Sequence, residues 1–148
     1  MPRFLADVML ERLARWLRVL GADVESAAGA AADRDLVRRA GAEDRVLLTR
    51  DRRLAAEHPG RIVVVRSAAP LEQLAEVVAR CDVAIGELFT RCLLCNVPLE
   101  PAPEVDGMPA RRCPRCGRVY WEGSHTRRMR SALARALPSL VPPPAAGP

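Results

Sequence analysis

Residues 4–23, FLADVMLERLARWLRVLGAD, decide the fold class of the chain. The stretch begins with a short apolar segment that is typical of a strand. An amphipathic helix follows, because apolar residues recur at helical spacing at Leu10, Leu13, Ala14, Leu17 and Leu20. Gly21 ends this helix, and residues 22–25 predict a second short strand. The stretch therefore predicts a β-α-β unit.

The same alternation continues to about residue 86. Strands are predicted at residues 46–49 and 62–65, and helices at residues 33–41, 52–57 and from residue 70 onward. The unbroken β-branched run at 62–65 is expected to be buried on both faces. The small residues at 27–32 predict a loop. The order β-α-β-α-β-α-β-α predicts a minimal α/β domain with parallel strands and helices on both faces.

Four cysteines form two closely spaced pairs farther along the chain, Cys92-x2-Cys95 and Cys113-x2-Cys116. A spacer of 17 residues separates the pairs, which is typical of a four-cysteine zinc site. The two-residue gap lets both sulfurs of a pair face one tetrahedral ion. Asn96 and Gly117 follow the pairs, and both tolerate the positive φ that such turns need. Four thiolates complete the coordination of zinc, so the sequence predicts a structural ion in a zinc ribbon.

The charge of the chain is positive and unevenly distributed. The net charge is +5, and all 23 basic residues are arginine. Between residues 107 and 137, eight arginines stand against one acidic residue. This excess favours nucleic acid as a partner over a merely solvated basic face, protein binding or bracing of a neighbouring domain. The candidate RNA contacts are Arg111, Arg112, Arg115, Arg118, His125, Arg127 and Arg128.

Aromatic residues are scarce in this chain. They make up 3% of it, which argues against an aromatic stacking platform for single-stranded nucleic acid. Tyr120 and Trp121 directly follow the second cysteine pair. Packing against the ribbon is the main interpretation of both, and base stacking is the alternative. His125 is expected either to contact phosphate or to pack on the ribbon.

Three aspartates lie at the boundaries of predicted strands and helices. Asp7 and Asp51 each follow a strand, and Asp33 begins the helix between them. Because the carboxyl ends of parallel strands share one edge, these carboxylates are expected to converge there. Mg²⁺ or Mn²⁺ prefers such oxygen ligands and positions water for phosphodiester hydrolysis. Asp35 is a second candidate beside Asp33.

The same three aspartates also suit a structural role. Each precedes a helical segment, and aspartate is a favoured N-cap because its carboxylate accepts hydrogen bonds from backbone N–H groups. The two roles are compatible, since an N-cap can also be a metal ligand. The pattern of residues alone leaves both interpretations open.

Several stretches, taken together and in order, closely resemble one family. They are FLADVMLERLARWLRVLGAD (4–23), DRDLVRRA (33–40), RVLLTRDRRL (45–54), RCLLCNVPLEP (91–101) and RRCPRCGRVYWEGSHTRRM (111–129). They are similar to the PIN-like ribonuclease domain with a C-terminal zinc ribbon, the Mut-seven C-terminal RNase family. The resemblance covers about residues 3–129.

The resemblance implies a PIN-like three-layer domain with a short parallel central sheet, and a metal-dependent ribonuclease activity. It matches the three aspartates to acidic metal positions, with Asp35 as the alternative to Asp33. Thr49 matches a hydroxyl at a strand end near the site. A fourth acid is expected near the start of a later helix, where Glu72 is the candidate.

These inferences predict the organisation and function of the whole chain. We expect a PIN-like nuclease domain at residues 1–86, a zinc ribbon with a basic C-terminal helix at 87–137, and a disordered tail at 138–148. The paired cysteines suit metal rather than disulfides, so a cytoplasmic location is expected, without a membrane segment. The leading hypothesis is an Mg²⁺- or Mn²⁺-dependent ribonuclease acting on RNA. The alternatives are a non-catalytic nucleic-acid-binding module and, last, a nuclease held by an antitoxin-like protein partner.

Overall fold

The structure, a computed structural model, describes residues 1–27 and 32–145. Its strands are β1 Phe4–Ala6, β2 Val24–Ser26, β3 Val46–Thr49, β4 Ile62–Val64, β5 Glu100–Val105, β6 Met108–Arg112 and β7 Val119–Trp121. Its helices are α1 Glu11–Val19, α2 Asp33–Ala42, α3 Arg52–Glu57, α4 Pro70–Cys81 and α5 Ser124–Ala136, and a 3-10 helix, Val8–Leu10, precedes α1. The predicted loop at 27–32 lies mostly outside the described residues. None of the described helices is long and apolar enough to span a membrane.

The first four strands form a parallel sheet in the order β2-β1-β3-β4, which confirms the predicted α/β class. Successive side chains point to opposite faces of this sheet. Phe4 and Leu48 therefore join one apolar cluster, whereas Leu5 and Leu47 join a second. Residues of α1, α4 and α5 complete the first cluster, and residues of α2 and α3 complete the second. The sheet thus lies between two helical layers.

The run 62–65 is less buried than its sequence predicts. Val65 is 1% exposed, but the expected burial on both faces is incomplete over β4. Ile62, Val63 and Val64 are each only partly buried. The reason is strand order, because β4 pairs with β3 alone and forms an edge of the parallel sheet. The Arg80 guanidinium donates to the Val64 carbonyl at 2.7 Å and so satisfies one backbone group of this edge.

The C-terminal part of the chain packs against the α/β part through α5. Strands β5, β6 and β7 form a separate antiparallel sheet. Leu133 of α5 and Leu137, which directly follows the helix, lie in the same cluster as Val77 of α4. Leu88 and Phe89 of the connecting segment belong to this cluster too. The apolar core therefore crosses the boundary expected after residue 86.

The start of the segment predicted as a disordered tail, residues 138–148, also contributes to the core. Val141 is 3% exposed and packs in the same cluster. Its N–H donates to the Leu137 carbonyl at 2.9 Å, so a turn carries the chain back onto the protein. A single valine among prolines has no periodic pattern to reveal it. Residues 146–148 of the predicted disordered tail lie outside the described residues.

Candidate active site and metal centre

The carboxyl ends of β1 and β3 bring two of the predicted site residues into contact. Asp7 directly follows β1, and Thr49 is the last residue of β3. The Thr49 side chain is fully buried, and its hydroxyl donates to Asp7 Oδ2 at 3.2 Å. The same hydroxyl accepts the N–H of Asp51 at 3.1 Å. Thr49 therefore links the two aspartates that follow neighbouring strands.

Asp7 lies where an N-cap would be, yet its carboxylate does not act as one. It precedes the Val8–Leu10 helix, but its side chain makes no capping hydrogen bond. The backbone is held instead, because the Asp7 N–H donates to the Leu48 carbonyl at 3.0 Å. The half-buried carboxylate is oriented by Thr49 and not by the helix. The structural interpretation of Asp7 as an N-cap is wrong.

Asp51, in contrast, does serve as the N-cap of α3. Its Oδ1 accepts the backbone N–H of Arg53 at 2.9 Å and that of Leu54 at 3.4 Å. The side chain is exposed, so the carboxylate can also be reached from solvent. Asp51 thus has the capping role that the sequence allowed, and its second oxygen, Oδ2, is not used by the cap.

Asp33 and Asp35 lie apart from this contact in the first turn of α2. Both are exposed, and the N-cap position of α2 is Ala32, so Asp33 is not a cap either. Within residues 1–27 and 32–145, the four cysteines alone form a group of at least three His, Cys, Asp or Glu ligand atoms lying within 4.8 Å of one another. The three aspartates are not gathered at that distance, and their joint metal site stays a prediction.

Two glutamates organise the loop that follows β4. The candidate fourth acid, Glu72, lies in the first turn of α4 and accepts a hydrogen bond from the Ser67 hydroxyl. Glu76, which sequence reasoning missed, accepts the N–H groups of Arg66 at 2.9 Å and Ser67 at 2.7 Å. Burial alone would raise the pKa of Glu76, but these two backbone hydrogen bonds, together with the charges of Arg80 and Arg66, lower the pKa.

The four paired cysteines converge on one point, as the sequence predicts. Their sulfurs all lie within 4.8 Å of one another, and Cys92 Sγ is 3.8 Å from Cys116 Sγ. A tetrahedral zinc ion with sulfur ligands at about 2.3 Å requires sulfurs about 3.8 Å apart, so the group fits this ion. Cys92 and Cys113 are buried, whereas Cys116 is exposed. The four cysteines can therefore bind a metal ion such as zinc.

The two cysteine turns, residues 92–96 (the first knuckle) and 113–117 (the second knuckle), share the geometry expected of zinc-binding knuckles. Asn96 has φ of +62° and Gly117 has φ of +77°, which confirms the need for residues that tolerate the left-handed region. Backbone N–H groups point at the sulfurs, from Cys95 to Cys92 and from Cys116 to Cys113, each at 3.4 Å. Such donors stabilise thiolate charge around a metal.

Tyr120, which follows the second knuckle in the chain, contacts and supports the first knuckle. Its hydroxyl lies 3.4 Å from Cys92 Sγ and accepts the Leu93 N–H at 3.1 Å. Burial alone would raise the pKa of Cys92, but hydrogen bonds from Tyr120 and from the backbone lower it to about 6. The pKa of Tyr120 is raised, first by burial and then by its contact with Cys92. Packing of Tyr120 against the ribbon, the main interpretation from the sequence, is confirmed.

One family model matches a stretch of the chain that includes both the aspartates at the sheet edge and the four cysteines. The model of the Mut7-C RNAse domain matches residues 2–133. The chain belongs to the Mut7-C RNAse domain family. The resemblance seen in the sequence is confirmed, and family membership indicates a ribonuclease-type function. Comparison with curated proteins and with solved structures gives no match.

In this Mut7-C RNAse domain, the first knuckle is docked on the edge strand β2 by Asn96. The side chain is 4% exposed, and its Oδ1 accepts the Val24 N–H at 2.9 Å. Its Nδ2 donates to Asp23 Oδ1 at 2.7 Å. Asn96 thus pairs with a backbone group that an edge strand would otherwise leave without a partner strand. The sequence signalled the positive φ of Asn96 but not this contact, which spans 72 residues.

Arg18 makes a second link between the same parts, and sequence reasoning missed it. This arginine of α1 is 2% exposed. It donates to the Val24 carbonyl at 2.7 and 2.9 Å and to the Leu93 carbonyl of the knuckle at 2.7 Å. The predicted apolar stripe does not include Arg18, which lies on the side of α1 that carries Glu11, so the spacing gave no signal of its burial.

The predicted RNA contacts of the Mut7-C RNAse domain separate into two groups. Arg111 is tied inward, because it donates to the Phe89 carbonyl at 3.2 Å and pairs with Glu87 at 2.6 Å. The others have exposed side chains, namely Arg112, Arg115, Arg118, His125, Arg127 and Arg128. The contacts of Arg111 with Phe89 and Glu87 favour a structural role, whereas the exposed group can meet an anionic ligand.

Proposed function

We propose that the chain is a PIN-like, metal-dependent ribonuclease that hydrolyses phosphodiester bonds of RNA at the carboxyl edge of its parallel sheet. The observation that carries the proposal is the half-buried Asp7 carboxylate, held by the buried Thr49 hydroxyl and not used as a helix cap. A carboxylate kept at a sheet edge without a capping role is available for chemistry. Family membership supplies the class of reaction.

The donor groups at this edge suit Mg²⁺ or Mn²⁺. Magnesium is usually held by one or two carboxylates together with waters and substrate phosphates, so a compact group of three aspartates is not required. Asp7 and Asp51 would hold the ion. Asp33 or Asp35, and Glu72, would be the further acids that the family resemblance implies. Such an ion supplies an activated water and neutralises charge that develops on phosphate.

The chain's own residues perform the remaining tasks at this edge. Thr49 fixes the carboxylate of Asp7 through one hydrogen bond and the backbone of Asp51 through another. Arg50, Arg52 and Arg53 flank Asp51 with exposed side chains, and guanidinium groups suit phosphate oxygens. These arginines would hold the substrate backbone while the carboxylates face the scissile phosphate.

The cysteine centre has a different task in this proposal. A zinc ion bound by four thiolates has no open coordination site, so its role is to fold the ribbon. The ribbon at residues 87–137 then presents its exposed arginines to RNA. Asn96 and Arg18 hold the ribbon on β2, which is a strand of the proposed nuclease part at residues 1–86.

Substitution of Asp7 tests the proposed activity. Asp7→Asn is expected to lower Mg²⁺- or Mn²⁺-stimulated cleavage of labelled single-stranded RNA by roughly 100-fold or more, as for loss of a key transition-state contact. Its stability should stay within about 0.5 kcal/mol of the wild type, because Asp7 caps no helix. Asp82→Asn makes the same chemical change at the exposed end of α4 and should cleave normally. Full activity of Asp7→Asn would refute the proposal.

One observation favours a second candidate, a nucleic-acid-binding module without catalysis. Asp51 already caps α3, and the three aspartates are not gathered within 4.8 Å of one another. On this alternative, the exposed arginines bind RNA and the edge carboxylates are only structural. Salt-sensitive RNA binding, with no cleavage in the presence of Mg²⁺ or Mn²⁺, would favour it over the nuclease.

A further inference from the structure

A groove of about 620 Å³ lies between α1, the first knuckle, β7 and the start of α5. Its walls combine aromatic and basic side chains, among them Phe89, Tyr120, Trp121, Arg15, Arg118 and His125. The whole chain has two Trp, one Tyr and two Phe, so most of its aromatic residues meet here. The low aromatic content argued against base stacking, but a composition does not show where the few aromatic residues lie.

The indole of Trp121 is the most exposed aromatic surface of this groove. Trp121 is 39% exposed, although it ends a strand of the ribbon sheet. Gly123 lets the ring lie close to the backbone, because a Cβ at position 123 would be 3.1 Å from Trp121 Nε1 and 3.6 Å from its Cδ1. One part of the ring is thus supported by the chain, and an exposed part faces the groove.

The other aromatic walls are held in place by the ribbon and the core. Tyr120 is fixed because its hydroxyl contacts both Cys92 Sγ and the Leu93 N–H. Phe89 is 8% exposed and has φ of +58°, a conformation that bulky residues rarely adopt. The Arg130 guanidinium lies over the Phe89 ring at 5.4 Å from its centroid. The groove is therefore a preformed surface, which lowers the entropic cost of binding a flat ligand.

The charge at the groove favours an anionic ligand. Arg118 and His125 are exposed at its rim, and Arg15 extends from α1, where it pairs loosely with Glu11 at 3.7 Å. Asp106 is the acidic member of the lining. The first turn of α5 has no acidic residue, so its positive dipole end adds to the cationic field. A flat aromatic surface with cations around it complements a nucleotide, whose base stacks and whose phosphate is charged.

The 3-10 helix and α1 connect the proposed catalytic edge to the groove, because Asp7 directly precedes the first and Arg15 lies on the second. Arg15 follows Asp7 by eight residues, which is roughly 12–14 Å along a 3-10 turn and an α-helix. Arg15 and Glu11 share a face of α1, as their contact shows. One flexible RNA strand can therefore reach both places.

We propose that this groove binds an unpaired nucleotide of single-stranded RNA, with its base stacked on Trp121 and its phosphates beside Arg15, Arg118 and His125. The proposal rests on the proposed function, since RNA is the substrate there, and it adds a base-stacking subsite outside the carboxyl edge. The subsite is sequence-tolerant, because every base offers a flat face.

Intrinsic fluorescence tests the subsite directly, because the chain has two tryptophans. Trp16 is partly buried against the core, so Trp16→Phe leaves Trp121 as the reporter without touching the groove. This variant is titrated with a short oligouridylate and with an abasic oligonucleotide of equal length and charge, without added Mg²⁺ or Mn²⁺. Stacking predicts that the oligouridylate quenches Trp121 emission and that the abasic strand leaves it nearly unchanged. Equal quenching by both strands, or none by the oligouridylate, would overturn the proposal.

Binding of a labelled oligouridylate to ring variants gives the size of the effect. Trp121→Ala should weaken binding roughly 5- to 100-fold, and Trp121→Phe should restore part of the loss. The zinc content of each variant shows that the ribbon is still folded. Gly123→Ala should also weaken binding, because its Cβ displaces the indole while the ring is kept. Wild-type affinity in folded Trp121→Ala would overturn the subsite.

The outcomes separate this subsite from the proposed nuclease. Base-dependent quenching in a protein that never cleaves RNA would support the subsite and refute the proposed function. Metal-dependent cleavage by a protein whose Trp121→Ala variant binds and cleaves RNA normally would support the proposed function and refute the subsite.

Discussion

Asn96 gives the sharpest prediction about how the ribbon stabilises the α/β part. Its side chain is 4% exposed, and its Oδ1 accepts the Val24 N–H at 2.9 Å. Its Nδ2 donates to Asp23 Oδ1 at 2.7 Å and to Glu25 Oε1 at 3.3 Å. Asn96→Ala would remove all three hydrogen bonds. It would also place alanine at φ of +62°, where residues with a Cβ are disfavoured.

The expected loss follows from these contacts. A buried N–H without a partner costs about 1–3 kcal/mol, and Val24 is fully buried. The left-handed backbone costs alanine about 1–2 kcal/mol. The bond to Asp23 adds less than a buried charged bond, because the Asp23 side chain is 26% exposed. We therefore expect Asn96→Ala to lower the free energy of unfolding by roughly 3–4 kcal/mol.

Two further variants separate the side chain from the backbone. Asn96→Gly removes the same hydrogen bonds but tolerates the positive φ, so it should lose about 1 kcal/mol less than Asn96→Ala. Gly117→Asn is the matched control in the second knuckle, where a Cβ meets nothing within 4 Å. Because its φ of +77° disfavours any residue with a Cβ, it should lose about 1 kcal/mol, well below the loss in Asn96→Ala.

Urea unfolding of the zinc-loaded proteins in a buffer without chelator measures these differences. The fluorescence of Trp16 and Trp121 reports on the α/β part and on the ribbon. If Asn96→Gly unfolds at the same urea concentration as the wild type, Asn96 does not dock the knuckle on β2 and the reasoning is refuted.

Three other predictions concern the catalytic edge, the loop after β4 and the metal centre. Thr49→Val should lower RNA cleavage roughly tenfold or more by releasing Asp7, and Thr49→Ser should restore it; equal rates in all three proteins would contradict this. The folded-state pKa of Glu76 is lowered, so its stabilising effect is present above the ordinary pKa of about 4.3 and is lost as pH falls below it. The difference in unfolding temperature between wild type and Glu76→Gln should therefore shrink in that acid range, and a constant difference would be inconsistent. Cys113→Ser should lose the bound zinc measured by metal analysis, whereas Cys81→Ser, at the cysteine outside the cluster, should keep it.

Local signals were enough to predict much of the α/β part. The β3 strand and α3 have the predicted bounds, because a run of β-branched and leucine residues is followed by the cap Asp51 and ends before Pro59. The knuckle geometry was predictable as well, since Asn96 and Gly117 both adopt positive φ. In each case the deciding residues are close together in the sequence.

The features that the sequence did not reveal depend on distant partners. The burial of β4 follows from its place at the sheet edge, which no residue of the run 62–64 encodes. Arg18 meets Leu93 across 75 residues, and the side chain of Asn96 meets β2 only once the ribbon has docked. Thr49 was assigned from the family resemblance, whereas its hydrogen bond to Asp7 could be seen only in the folded chain.

The rate of single-stranded RNA cleavage, measured against Mn²⁺ concentration for the wild type and Asp7→Asn, tests the central claim most directly. The account predicts a saturable rise with Mn²⁺ in the wild type and a rate near background in Asp7→Asn at every concentration. The zinc content of both proteins should be the same, because the cysteine centre is separate from Asp7. Identical curves for the two proteins would contradict the assignment of the carboxyl edge as the catalytic site.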